Sequence, residues 1–303
     1  MSAADLFATV LDCAGRRLTL DRPRVVGILN LTPDSFSDGG RYGSVEAAVE
    51  QGLRMAEEGA DMLDIGGEST RPGADDVSIE EELRRVIPVI EQLAARTTLP
   101  LAIDTSKPEV MRAAVAAGVG MINDVYALRR EGALDAVAAL GVPVCLMHMQ
   151  GEPRGMQDEP HYDDVVGEVH RFLTDRLFAC ELAGIDRRKV MVDPGFGFGK
   201  NLEHNLELLR ALERFSGLGS GVYVGLSRKS MIGTLTGRKQ PDERAAGSAV
   251  AALIAVQRGA RMVRVHDVAV TVDALAVWQA VKAGDVAPRR DPKPSMPRWP
   301  DDD

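Results

Sequence analysis

Along this chain, short apolar runs alternate with longer stretches in which apolar and polar positions recur at helical spacing. The runs are VVGILN (25–30), MLDIGG (62–67), PLAID (100–104), MINDV (121–125), PVCLMHM (143–149), VMVDPG (190–195), VYVGLS (222–227) and MVRVHD (262–267). They are shorter than ordinary helices and almost continuously apolar, the pattern of strands buried on both faces. The intervening stretches include SVEAAVEQGLRMAEEG (44–59), SIEEELRRVIPVIEQLAAR (78–96), KPEVMRAAVAAG (107–118) and PDERAAGSAVAALIAVQRG (241–259). Ser78 followed by Glu81 forms a capping box, and Gly59, Gly118, Gly141, Gly184 and Gly259 stand where helices should stop. Pro88, inside the second helical pattern, predicts a kink.

Eight strands alternating with about eight helices predict a parallel sheet with right-handed crossovers, and eight is the number that closes a (β/α)8 TIM barrel. An open doubly wound sheet is the alternative, but no GxGxxG follows the first strand. Residues 9–22 read as a small hairpin ahead of the barrel. Residues 1–283 are therefore expected to form one domain. Residues 284–303, with five prolines and a final Asp-Asp-Asp, are expected to be a disordered tail. Two strand-to-helix connections, 31–43 and 68–77, are long and polar, as functional loops are; both are expected to be mobile until ligands arrive and then to close.

Composition narrows the function. With 45% hydrophobic but only 4% aromatic residues, the core must be built from aliphatic side chains and methionine. A net charge of -9 argues against sequence-independent nucleic-acid binding, which needs a basic footprint. Three scattered cysteines, Cys13, Cys145 and Cys180, without metal spacing suggest reduced thiols in a cytoplasmic protein. The apolar stretch SAVAALIAV is too short to cross a bilayer, and no membrane role is expected.

Nearly every predicted strand ends in a polar residue: Asn30, Asp64 leading to Glu68, Asp104, Asn123 with Asp124, His148, Asp193, Arg228 with Lys229, and Arg264 with His266 and Asp267. In a barrel these ends converge on one mouth. Asp104, Asn123 and Asp193 suit a flat heterocycle with N–H donors and a carbonyl, because a carboxylate pairs two-fold with an amidine-like edge. Lys229, Arg264 and His266, with Arg71, suit a phosphate-type anion. Asn30 offers a neutral oxygen to Mg2+, an ion that completes its shell with water and substrate phosphates. Asp64 reads equally well as part of a buried structural network, and His148 as a satisfied core histidine. Asp124 and Asp267 read as supporting or capping residues, and His161, His170 and His204 as surface residues. No HExxH or GxSxG is present, so zinc-protease and nucleophilic-serine chemistry find no support.

GILNLTPDSFSDGG (27–40) and DIGGESTRPG (64–73), followed by IDTSKPEV (103–110), INDV (122–125), DPGFGFGK (193–200), SRKS (227–230) and RVHDV (264–268), resemble the dihydropteroate synthase family, in its order, from about residue 9 to 283. The resemblance implies a transferase that condenses 6-hydroxymethyl-7,8-dihydropterin pyrophosphate with 4-aminobenzoate. It implies Asn30 as the Mg2+ ligand and Asp38, Arg71 and Lys229 as catalytic residues. Asp104, Asn123 and Asp193 would hold the pterin edges, with Lys229 opposite and Met147 and Phe198 lining the slot. Arg264 would cover the ring, and His266 and Thr70 would meet the pyrophosphate. Ser230, Phe36 and Pro72 would border the aminobenzoate. It further implies a homodimer and a sulfonamide target. Two other readings remain: a pterin-binding methyltransferase that serves a corrinoid, and a copy that binds pterin without turning it over.

Overall fold

The structure is a computed structural model that describes residues 9–31, 40–69, 76–151, 156 and 160–283, without the side chains of residues 40–44 and 283. Asp38, Thr70, Arg71, Phe36, Pro72 and the tail 284–303 lie outside the described residues, as does most of the expected mobile segments.

The chain opens with a hairpin, β1 (Val10–Cys13) and β2 (Arg16–Thr19), paired antiparallel. Its two-residue turn puts Ala14 and Gly15 at φ 53° and 85°. Positive φ at both turn positions is what lets such a turn follow the twist of the strands. Eight parallel strands follow: β3 (Arg24–Asn30), β4 (Met62–Gly66), β5 (Leu101–Asp104), β6 (Met121–Asp124), β7 (Val144–Met147), β8 (Val190–Asp193), β9 (Gly221–Val224) and β10 (Ala260–Val265). They pair in chain order, and β10 returns to β3 to close the barrel. Closure leaves no edge to an otherwise unprotected parallel sheet.

The helices are α1 (Gly40–Glu57), α2 (Ile79–Arg96), α3 (Pro108–Ala116), α4 (Ala133–Leu140), α5 (Val165–Leu182), α6 (Leu202–Arg210), α7 (Ser230–Thr236), α8 (Ala245–Gln257) and α9 (Val268–Ala283). Ser78 caps α2 by accepting the Glu81 N–H at 3.2 Å. The five predicted helix-stop glycines all take positive φ, the left-handed region that glycine enters without steric cost. Two local details differ from expectation. α1 begins at Gly40, four residues before the predicted start at Ser44. The SRKS motif opens a short extra helix, α7, so two helices rather than one separate β9 from β10. α2 runs from Ile79 to Arg96 with Pro88 inside it.

The strand pleat sorts the core into two parts. Residues such as Val25, Leu63, Ile103, Ile122, Leu146, Val192, Val224 and Val263 point outward and pack under the helices. Val26, Met62, Ala102, Met121, Cys145, Met191, Tyr223 and Met262 point inward, and Leu11, Cys13, Leu18 and Leu20 of the hairpin join them. The hairpin thus stoppers the N-terminal end of the barrel. Its approach is close enough that a Cβ on Gly120 would fall 2.3 Å from the Cys13 carbonyl oxygen. Because strand side chains repeat with period two, the next inward layer is Ile28, Asp64, Asp104, Asn123, Met147, Asp193 and Arg264. A polar layer therefore sits on an apolar one, facing the C-terminal mouth.

Candidate active site

The floor of the mouth is a single buried cluster. Asp64, with no solvent exposure, accepts the Asn123 amide at 3.0 Å and the Arg264 Nε–H at 2.5 Å, both on Oδ2. The other arm of Arg264, Nη2, donates to Asp104 Oδ2 at 2.9 Å. One guanidinium thus spans two carboxylates on neighbouring strands, the fixed-fork geometry that arginine provides and lysine does not. Burial works against the Arg264 charge, but Asp64 and Asp104 outweigh it and hold the group protonated. Burial pushes the Asp104 carboxyl up to about 7, with Arg264 opposing and the Asp64 charge adding to the rise. Among the described residues, Asp64 Oδ1 and Asp104 Oδ1 are buried acceptors with no hydrogen-bond partner. Asp64 thus belongs to the buried network that was one of its two readings, and Asn123 is held by it.

The wall opposite is built by β8 and the segment after it. Asp193 ends β8 and accepts the Gly195 N–H on Oδ1 at 2.7 Å. Burial raises its pKa, while Lys229 and the Gly195 N–H pull the other way. Lys229 is the N-cap residue of α7. Its Nζ donates to the Phe196 carbonyl and lies 4.5 Å from the centre of the Phe198 ring. Burial lowers its pKa to about 8, resisted by Asp193. Beside this pair Met147 joins Val125, Met149 and Met156 in an apolar cluster, against which Tyr126 and Phe198 pack. Methionine side chains adapt to a flat ring without fixed shape demands.

The rim carries the remaining groups. Asn30 ends β3, and its Oδ1 lies beside Gly66 of the neighbouring strand, 3.5 Å from where a Cβ there would stand. Ser227 Oγ lies 3.0 Å from His266 Nδ1 and accepts the His266 backbone N–H at 3.1 Å, which fixes the ring. Arg228 and Asp267 form a two-fold pair at 3.0 and 2.6 Å, tying the start of α7 to the end of β10. Ser230 is exposed at the first position of α7. Asp124 receives the Tyr126 and Leu128 N–H groups at 2.8 and 2.7 Å, a capping role. His148 is buried and bonded, as a satisfied core histidine should be. Among the described residues no group of three or more His, Cys, Asp or Glu side chains could cage a metal ion. One amide oxygen at Asn30 matches the donor set of a magnesium ion that keeps its waters and takes substrate phosphate oxygens.

Three supporting groups escaped sequence reasoning. Lys107 bonds Glu68 at 2.8 Å and Glu82 at 2.6 Å, joining α3, α2 and the segment after β4. A signal existed: Glu82 lies on the buried face of α2 with Val86, Val89, Ile90 and Leu93, where a carboxylate demands a partner. Ser227 and Lys200 had no such signal, because a serine or lysine after a strand is usually solvated.

What the mouth can do follows from its groups. Carboxylates, an amide and two cations alternate around the mouth, beside an apolar slot. Such a site holds a flat polar heterocycle by its edges and an anion beside it. The Pterin binding enzyme family model matches residues 26–266. The dihydropteroate synthase of Escherichia coli K12 is 52% identical over 266 residues, covering 88% of this chain and 94% of that protein. The structure of Xanthomonas albilineans dihydropteroate synthase with 4-aminobenzoic acid is similar with a TM-score of 0.87 at 68% identity, covering 91% of this chain and 99% of that one. The same enzyme in complex with 7,8-dihydropteroate gives a TM-score of 0.83 at 65% identity, with 90% and 99% covered. By this span and this identity, carried on a barrel with the mouth described above, the chain belongs to the dihydropteroate synthase family of pterin-binding enzymes.

Proposed function

We propose that the mouth of the barrel grips the pterin pyrophosphate by its ring edges, at Asp104, Asn123 and Asp193, with Lys229 on the opposite side. The chain is a transferase of folate biosynthesis, condensing 6-hydroxymethyl-7,8-dihydropterin pyrophosphate with 4-aminobenzoate to 7,8-dihydropteroate and pyrophosphate. The observation that carries the site assignment is the orphan oxygen of Asp104, a buried acceptor in a floor where the other arm of the same carboxylate is already bonded to Arg264. A buried unpaired acceptor costs about 1–3 kcal/mol, and a ring N–H donor would remove that cost.

The chemistry needs no enzyme nucleophile. The methylene carbon releases its electron pair to the bridging pyrophosphate oxygen, and the positive charge spreads into the electron-rich dihydropterin ring. Asp64, Asp104 and Asp193 around the ring favour that cation. The aniline nitrogen of 4-aminobenzoate then bonds to the carbon and loses a proton. Arg264, His266, Thr70 and Arg71 would receive the leaving pyrophosphate, Ser230, Phe36 and Pro72 would border the second substrate, and Asp38 would be catalytic. The neutral oxygen of Asn30 fits one position on a magnesium ion, which when bound would neutralise the leaving group. Positioning and electrostatics are then the protein's whole contribution.

A homodimer is the proposed assembly: Val270, Val277 and Val281 share one exposed face of α9, and Val250 on α8 is exposed too. A cytoplasmic location is proposed as well; no described helix is long and apolar enough to cross a membrane. Residues 1–283 are proposed as the catalytic domain, so a chain ending at Ala283 should retain turnover.

The test is pyrophosphate release from pterin pyrophosphate, with and without 4-aminobenzoate. Release that depends on 4-aminobenzoate supports the reading. Tight pterin binding without release would instead make this a binding protein.

A further inference from the structure

Lys200 lies at the end of the glycine-rich segment behind the pterin slot and is 3% exposed. Its Nζ reaches three acceptors at 2.9 Å: the carbonyls of Gly195 and Phe198, and His148 Nδ1. A fourth, the His148 carbonyl, lies at 3.5 Å. None of these partners is a carboxylate, so this is not an ion pair. It is a buried amine, its pKa pushed well down by burial, that gathers two backbone oxygens and the His148 ring.

The segment it holds has little stiffness of its own. Gly195, Gly197 and Gly199 all take positive φ, at 70°, 77° and 60°. Side chains from beneath fix nearly every turn of it. Asn205 Oδ1 accepts the Gly197 N–H at 2.7 Å, and the Tyr162 hydroxyl donates to the Gly199 carbonyl at 2.8 Å. Lys200 takes the two carbonyls between which the chain turns, closed by the Phe198 N–H on the Gly195 carbonyl at 3.1 Å. The same turn presents the Phe196 carbonyl to Lys229 and the Phe198 ring to the slot.

We propose that Lys200 is a positioning residue for the pterin half of the reaction: its amine, by gathering the Gly195 and Phe198 carbonyls and His148 Nδ1, sets where Phe198 and Lys229 stand. It touches no reacting atom. This rests on the site assignment above, that Phe198, Lys229 and Asp193 form the pterin slot. Burial, then the nearby Lys200 and Arg129 charges, lower the His148 pKa to about 2, so the ring in the hub is neutral.

The test uses the full chain carrying Lys200→Met, or Lys200→Gln if the first does not fold. The dissociation constant for pterin pyrophosphate is measured by calorimetry, and KM is measured for both substrates well below Tm. Losing the hub should raise the pterin dissociation constant and pterin KM by about tenfold or more, as expected when two or three buried hydrogen bonds are broken. KM for 4-aminobenzoate should stay within about twofold, well short of the tenfold step of one lost bond. A double-mutant cycle with Phe198→Ala separates positioning from plain stability. If Lys200 acts through Phe198, the combined loss is smaller than the product of the single losses. A lowered Tm with unchanged pterin affinity, or losses that multiply independently, overturns the proposal. Asp193→Asn run alongside tells the failures apart. If it too leaves pterin binding intact, the site assignment is wrong; if it weakens binding while Lys200→Met does not, only the role of Lys200 falls.

Discussion

Replacing Asp193 by asparagine keeps shape and volume and removes one charge, so its effect isolates electrostatics at the wall of the slot. Asp193 is 5% exposed, accepts the Gly195 N–H at 2.7 Å and faces Lys229. Three losses add up. The bond from Gly195 falls from charge-assisted to neutral strength, about 1 kcal/mol. Lys229, whose pKa burial already lowers to about 8, loses its opposing charge and falls further, so less of it is protonated near neutral pH. A ring edge that presents donors now meets an amide, and if the amide turns its NH2 toward the ring the clash leaves groups unpaired, about 1–3 kcal/mol. Together these predict a loss of about 2–4 kcal/mol in pterin affinity, roughly 30- to 1000-fold. Stability should change little, because the weakened Gly195 bond is offset by removing a carboxylate whose folded pKa burial raises and which therefore costs stability when ionised. Calorimetric titration with pterin pyrophosphate at pH 8 measures the first effect, and thermal melts the second. Binding within about threefold of the parent protein, a change under 1 kcal/mol, would refute the reasoning.

Further expectations follow from the same geometry. Lys107→Met strands the fully buried Glu82, so unfolding free energy should drop by about 3–5 kcal/mol, and Tm by about 2–4 °C for each of these; adding Glu82→Gln should restore much of it, and an unchanged melt would count against a buried ion triplet. Pterin affinity should rise with pH as Asp104 ionises near 7 and fall again as Lys229 deprotonates near 8; the acid limb should vanish in Asp104→Asn, and a flat profile from pH 6 to 9 would contradict both roles. Turnover should stop in excess chelator and return with Mg2+; full turnover in chelator would remove the metal from Asn30.

The barrel was legible in the sequence because its signals are local. A strand buried on both faces is written as an unbroken apolar run, and a helix that ends at a left-handed residue is written as a glycine, whatever lies elsewhere in the chain. The residues at the mouth were legible for the same reason: each stands at the polar end of its own run. Their partners were not. Asp64 and Arg264 are 200 positions apart, and they meet because β10 closes onto β3 and the pleat turns both side chains inward at the same height. Neither run reveals that closure or that register. Lys107 and Lys200 read as ordinary solvated lysines until folding surrounds one with Glu68 and Glu82 and the other with backbone oxygens. Sequence periodicity determined which faces are apolar and how many strands there are. Only the closed tertiary structure decided which charges share a low-dielectric site, and so which of them stay charged.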